Sequence, residues 1–141
     1  MIVQDRPTVP ELLDAIAGYL RQTVLARLEG GEQYHLRIAI NLLAIIRREM
    51  DLGPRFLQEE WQSISGLLGE VPETMRQLPK KDLPATLLQQ NGHLSRKIRE
   101  GRFDEPPDAA ALFSHLRTVT ENRLRIANPK FLERVTETTG D

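Results

Sequence analysis

Cysteine is absent from this chain of 141 residues, and aromatic residues make up only 5% of it. Without cysteine the chain has no disulfide framework, no thiolate metal site and no cysteine nucleophile, and this composition favours a reducing compartment. No hydrophobic run approaches the roughly 20 residues that a membrane-spanning helix needs. The N-terminal residues also lack the basic segment and apolar run of a signal peptide. The sequence therefore predicts a cytoplasmic protein that does not associate with membranes.

An excess of charge of one sign is also missing. The chain has 19 basic and 20 acidic residues, which gives a net charge of −1. Arg96, Lys97, Arg99 and Arg102 cluster without interleaved aromatics, at the end of a predicted helix where cations complement the helix dipole. Proteins that neutralise many phosphates usually carry a basic excess. The sequence therefore predicts no nucleic-acid partner.

Catalytic and metal-binding motifs are scarce. The chain has no Gly-x-Ser-x-Gly turn, no glycine-rich phosphate loop and no His-Glu-x-x-His. Glu32 and His35 have the Glu-x-x-His spacing of di-iron bundles, but such sites need a second pair. Neither His93 nor His115 follows a glutamate by three positions. We therefore expect no catalytic residue, metal or cofactor, and a half-buried His35 bonded to backbone; a single metal on Glu32, His35 and a third group is the alternative.

The chain does contain five segments with the three-four apolar spacing of amphipathic helices. Their expected bounds are residues 9–28, 32–50, 54–68, 83–101 and 108–127, and a short last turn contains Phe131 and Leu132. The predicted fold is an all-α, single-domain, up-down bundle of about five helices over residues 1–141. Its termini, 1–7 and 134–141, are expected to fray, and 69–81 is expected to be a loop.

The expected helix boundaries have local physical causes. Thr8 and Glu11 have the spacing of a capping box, and Asp82 stands where the fourth helix needs a cap. Gly30-Gly31 and Gly53-Pro54 are expected to end the first and second helices. The residue before a proline avoids the helical region, so Asn128-Pro129 closes the fifth.

The second segment, 32–50, is apolar on most of its circumference, except for a narrow strip through Arg37, Asn41 and Arg48. A helix of this kind has to be covered on most sides. It is predicted to be the central helix of the bundle or a dimer contact. The strip is most simply a solvated face, and becomes a second contact surface if another helix covers it.

Asn91 and Arg123 lie in the middle of otherwise apolar stripes. Buried amides and guanidinium groups need hydrogen-bonded partners. We expect a structural hydrogen bond inside the bundle, two residues that never meet, or a helix break at Asn91-Gly92. The alternative is that Asn91 and Arg123, with His35, line a pocket for an anionic ligand such as an acyl-CoA.

Several stretches together resemble a family of small all-helical bacterial proteins of unknown function. They are residues 6–8, 35–41 with 48–49, 91–101, 115–117 and 128–132. Members of that family are often encoded beside aminoglycoside-phosphotransferase-like kinases and acyl-CoA dehydrogenases. The resemblance implies a non-catalytic accessory subunit that binds such a partner, with His35, Arg37, Asn41 and Arg117 at or near the contact. The alternatives are a helical ligand-binding module and a plain homodimer through the second helix.

Overall fold

The computed structural model describes residues 5–69 and 82–138. These residues form five α-helices and contain no strand, which confirms the all-helical class and the count of about five. The predicted second and third helices are one helix, and the predicted short last turn is a helix of 10 residues. The helices are α1 (Val9–Tyr19), α2 (Gly30–Leu68), α3 (Leu83–Arg99), α4 (Asp108–Ala127) and α5 (Pro129–Thr138). None of the described helices combines the length and the apolarity that crossing a bilayer requires.

The capping box of α1 is confirmed. The Glu11 amide donates to Thr8 Oγ1 at 3.4 Å, and the Thr8 amide donates to Glu11 Oε2 at 2.6 Å. The α-helix ends at Tyr19, earlier than the apolar spacing predicts. The chain continues as a π-helical turn, Leu20–Val24, and a 3₁₀ turn, Leu25–Arg27.

Helix α2 is one continuous helix of 39 residues with Pro54 inside it, so the predicted break at Gly53-Pro54 is wrong. Proline usually breaks a helix because it lacks an N–H group and its ring crowds the preceding turn. Part of that crowding is with the Cβ atom of the preceding residue. Gly53 has no Cβ, which relieves this contact and lets the helix pass through. The Gly30-Gly31 pair belongs to the start of this helix, and Gly30 has a φ of 57°.

The later helices follow the predicted boundaries more closely. Asp82 stands at the N-cap position of α3, but its side chain makes no capping bond; its carbonyl accepts from Thr86 Oγ1 at 3.1 Å. The helix does not break at Asn91-Gly92. Asn128 separates α4 from α5 as predicted, and its Oδ1 accepts from the Phe131 amide at 3.3 Å. The predicted loop lies outside the described residues except for Gly69, as do 1–4 and 139–141 of the termini.

The chain divides into two compact units, a first unit of Met1–Gly53 and a second unit of Pro54–Asp141. The second unit has a well-defined apolar core. Its buried members are Ile64, Leu87, Leu94, Phe103 and Leu112, packed against partly buried Leu57, Trp61, Leu67, Leu68 and Leu83. The apolar stripes of the predicted third, fourth and fifth helices supply most of these residues.

The first unit buries much less. Among its described residues, Ala17 and Ile40 are the buried apolar side chains. Eight large apolar side chains are exposed there: Leu12, Ile16, Tyr19, Tyr34, Ile38, Leu42, Ile46 and Met50. The described chain therefore covers residues 32–50 only in part, and the side with Ile38, Leu42, Ile46 and Met50 stays exposed.

Candidate functional site

Glu60 on α2 joins the two polar residues that interrupt apolar stripes. Its side chain is 11% exposed. Asn91 Nδ2 donates to Glu60 Oε1 at 3.1 Å, and Arg123 Nη2 lies 3.5 Å from the same oxygen. Asn91 and Arg123 therefore do meet on a carboxylate. The sequence left open that Asn91 and Arg123 bind an external anionic ligand. In the structure the anion that they contact is the side chain of Glu60.

A second set of bonds surrounds Glu59. Asn122 Nδ2 donates to Glu59 Oε2 at 3.1 Å, and Arg55 Nε donates to Glu59 Oε1 at 2.7 Å. Arg125 Nη1 in turn donates to Asn122 Oδ1 at 2.9 Å. The hydrogen bond from Arg55 is the main reason that the pKa of Glu59 lies below its ordinary value. Sequence reasoning missed this set, although two adjacent glutamates beside the Leu57 and Trp61 stripe are a usable signal.

His115 on α4 is buried and lies 2.8 Å from Ser63 Oγ through its Nδ1 atom. Burial lowers the pKa of His115, and the Glu60 carboxylate partly opposes that shift. A serine hydroxyl beside a neutral imidazole can act as a nucleophile with the imidazole as its general base. Acyl transfer also needs donors for an oxyanion. Ser63 lies well inside α2, where backbone N–H groups are bonded along the helix. The pair is therefore best explained as a hydrogen bond between helices.

Gln90 completes this set of polar contacts, which we call the polar layer. Gln90 Nε2 donates to Ser65 Oγ at 3.1 Å, while its buried Oε1 has no hydrogen-bond partner. The polar layer consists of four α2 side chains and their partners on α3 and α4. The α2 members are Glu59, Glu60, Ser63 and Ser65, and the partners are Gln90, Asn91, His115, Asn122 and Arg123.

His35 and Arg117 lie apart from the polar layer's bonds. His35 is on the exposed surface of the first unit, not half-buried as expected, and its ring lies 5.9 Å from that of Tyr34. No group of three or more metal-ligating side chains occurs among the described residues. Arg117 lies in the second unit, where it is 79% exposed and pairs with Glu121 at 3.3 Å.

Two adjoining cavities, both open to solvent, lie in the first unit between α2 and the chain from Leu13 to Leu25. We call them together the arginine groove. The smaller cavity, about 220 Å³, is lined by Arg21, Leu25, Arg37, Ile40, Asn41 and Ala44. The larger, about 440 Å³, is lined by Leu13, Asp14, Ala17, Arg21, Leu43, Ala44, Arg47 and Arg48. The polar strip of 32–50 thus forms one wall of a groove, and sequence reasoning missed Arg21 opposite it.

The exposed apolar residues of the first unit repeat at helical spacing. Leu12, Ile16 and Tyr19 recur on α1 at intervals of four and three. Ile38, Leu42, Ile46 and Met50 recur on α2 at intervals of four. Residues four apart share one side of a helix. The four α2 residues are named the apolar surface below.

The fold and these sites define an all-helical protein in which the described polar clusters consist mainly of contacts between helices. Residues 26–131 match the family described as a domain of unknown function (DUF6285), and the chain belongs to that family. The match confirms the resemblance to a family of unknown function. No curated protein and no solved structure matches the chain significantly.

Proposed function

We propose that the chain is a non-catalytic accessory subunit that binds a partner protein through the apolar surface of its first unit. The observation that carries the proposal is the contrast within that unit. Two apolar side chains are buried, whereas eight large ones are exposed. Contiguous apolar patches of this kind mark sites of interaction with other proteins.

The apolar surface is too small to hold a stable complex by itself. Fully burying one large apolar side chain is worth about 1.5–3 kcal/mol, so the four half-exposed side chains contribute roughly 4 kcal/mol. Association itself costs an estimated 4–15 kcal/mol or more. The apolar surface alone therefore supports only a weak complex. Polar contacts at its margin, for which exposed His35 is a candidate, are needed as well.

The partner that we propose is an aminoglycoside-phosphotransferase-like kinase or an acyl-CoA dehydrogenase, as the family resemblance implies. The polar layer supports a non-catalytic role, because most of its buried polar groups bond to one another, with Gln90 Oε1 as the exception. We also propose that the protein resides in the cytoplasm, which its lack of cysteine favours.

Co-expression with the kinase-like or dehydrogenase partner, followed by pull-down, tests the proposal. The informative variant is Leu42→Ser with Ile46→Ser, and its matched control is Leu88→Ser with Phe113→Ser. The control side chains are exposed apolar residues of the second unit, 77% and 74% exposed. We expect the first variant to weaken the complex at least about tenfold and the control to bind as the unsubstituted chain. A chain that stays free at micromolar concentration refutes the proposal.

A second copy of the chain is the other candidate for covering the same surface. Light scattering on the isolated protein decides this point, since the monomer has a mass of 16.1 kDa. A homodimer through this surface has twice that mass and returns to the monomer when Leu42 and Ile46 are both replaced by serine. The ligand-binding alternative at Asn91 and Arg123 has less support, because Asn91 Nδ2 and Arg123 Nη2 both contact Glu60 Oε1.

A further inference from the structure

The arginine groove concentrates positive charge in a chain whose net charge is −1. Arg21, Arg37, Arg47 and Arg48 line it, and Asp14 is the one acid among the described lining residues. Asp14 is already paired with Arg47 at 3.0 Å, and Asp51 lies 3.8 Å from the same guanidinium. The charge of Arg47 is therefore largely compensated within the first unit.

Arg21 and Arg37 differ from Arg47 in this respect. Neither side chain forms an ion pair or hydrogen bond with any residue that the structure describes. Both line the smaller cavity, one from the segment after α1 and the other from α2. Like charges brought to one cavity repel each other, and an anion between them removes that repulsion. A phosphate suits two guanidinium groups because it carries up to two charges and accepts several hydrogen bonds.

The backbone at Arg21 departs from the regular α-helix. Arg21 lies in the π-helical turn, where the Leu25 amide bonds to the Leu20 carbonyl. Single π turns next to α-helices occur frequently at functional sites. Arg21 follows Ala17 by four residues, and both side chains line the larger cavity.

The larger cavity adds an apolar wall. Leu13, Ala17, Leu43 and Ala44 line it, and the two alanines leave open the space that longer side chains would fill. Its volume of about 440 Å³ lies within the range of sites for small molecules. We infer that the arginine groove binds an organic phosphate, with the phosphate between Arg21 and Arg37 and an apolar body in the larger cavity.

This site is separate from the apolar surface of the proposed function. Asn41 and Ala44 line the groove, whereas Leu42 and Ile46 are on a different side of α2. A protein that binds no partner protein can therefore still bind the phosphate, and the reverse also holds.

Calorimetric titration of the full chain with hexyl phosphate tests the inference, with inorganic phosphate and hexanoate as comparison ligands. We expect hexyl phosphate to bind at least about tenfold more tightly than either, since only it has both the phosphate and the apolar body. Binding should weaken with added salt, because the contact is charged. Absence of hexyl phosphate binding at millimolar concentration overturns the inference, as does equal binding of hexanoate.

Substitutions in and outside the arginine groove test whether hexyl phosphate binds there. Arg21→Gln with Arg37→Gln should lower hexyl phosphate affinity at least about tenfold, whereas Arg27→Gln, an exposed arginine of the same unit outside the groove, should leave it unchanged. Ala44→Leu fills both cavities, keeps every arginine, and should also abolish binding. Circular dichroism verifies that each variant is folded. If Arg27→Gln weakens binding as much as the double variant, the attraction is non-specific and the inference fails.

Discussion

Asn91 and Arg123 interrupt apolar stripes because both side chains contact Oε1 of Glu60. The two contacts are unequal. Arg123 is 72% exposed, so its ion pair with Glu60 is worth about 1 kcal/mol or less. Asn91 is half-buried, and its bond to the charged carboxylate is worth about 1.5–3 kcal/mol. The amide therefore contributes more to stability than the guanidinium.

We accordingly expect Asn91→Ala to lower the free energy of unfolding by about 1–3 kcal/mol, and Arg123→Ala by about 1 kcal/mol or less. Urea denaturation followed by circular dichroism measures both. Arg117→Ala is the control for Arg123, because Arg117 is an equally exposed arginine paired within its own helix. A larger loss for Arg123→Ala than for Asn91→Ala would show that the guanidinium has a role beyond this ion pair.

His115 makes stability depend on pH in a defined direction. Burial lowers the pKa of His115 below its ordinary value of 6.5, and the facing Glu60 carboxylate opposes this only in part. As the pH falls from 6.5 towards the lower pKa of the folded state, the unfolded chain therefore binds more of this proton than the folded chain does. Stability is consequently lost as the pH falls below 6.5 and is unaffected by this group at higher pH.

The measurement is the difference in free energy of unfolding between about pH 7.5 and about pH 5.5. We expect His115→Gln to reduce that difference, because glutamine cannot bind the proton. An undiminished difference in His115→Gln contradicts the account of the buried imidazole.

The sequence was informative about which of these residues need partners and uninformative about the partners themselves. An amide or a guanidinium within an apolar stripe predicts a buried contact. Glu60 lies 31 positions before Asn91, and Ser63 lies 52 before His115. Contacts between residues so far apart depend on how helices pack, which the helical spacing of one segment does not determine.

At the scale of whole elements, α2 depends on the pair Gly53-Pro54. The absent Cβ of Gly53 lets the helix pass the proline, but the proline ring still removes one backbone hydrogen bond. Sequence reasoning predicted a break because Gly-Pro pairs usually mark one. The sequence does not show whether the steric relief from the missing Cβ of Gly53 outweighs the helix-breaking effect of the Pro54 ring. Here long apolar segments on both sides of the pair favour one continuous helix.

Pro54→Ala restores the backbone N–H inside α2. We expect the free energy of unfolding to rise by about 1–3 kcal/mol, as measured by urea denaturation. Pro84→Ala is the control, because Pro84 stands in the first turn of α3 where an N–H has no partner within the helix. Its effect should be small. A decrease in stability for Pro54→Ala would mean that the proline is favourable at this position.

At the scale of the whole molecule, the two units differ in how their apolar stripes are used. The stripes of the second unit meet in a core around Ile64, which is fully buried. In the stripes of the first unit, the side chains of Leu42 and Ile46 remain exposed to solvent. Amphipathic spacing correctly predicted the helical class from the sequence. The spacing also identified a helix whose apolar side has to pack against something. It does not show whether the packing partner is part of this chain or another protein.

Site-specific photo-crosslinking measures most directly what covers the apolar surface. A photoreactive phenylalanine replaces Leu42 in one variant and the equally apolar, exposed Leu88 in the control, and each is co-expressed with the kinase-like or dehydrogenase partner. We predict that the product formed at position 42 contains the partner protein and that position 88 gives none. A product at position 42 that contains only a second copy of this chain, or no product there at all, would contradict the accessory-subunit proposal.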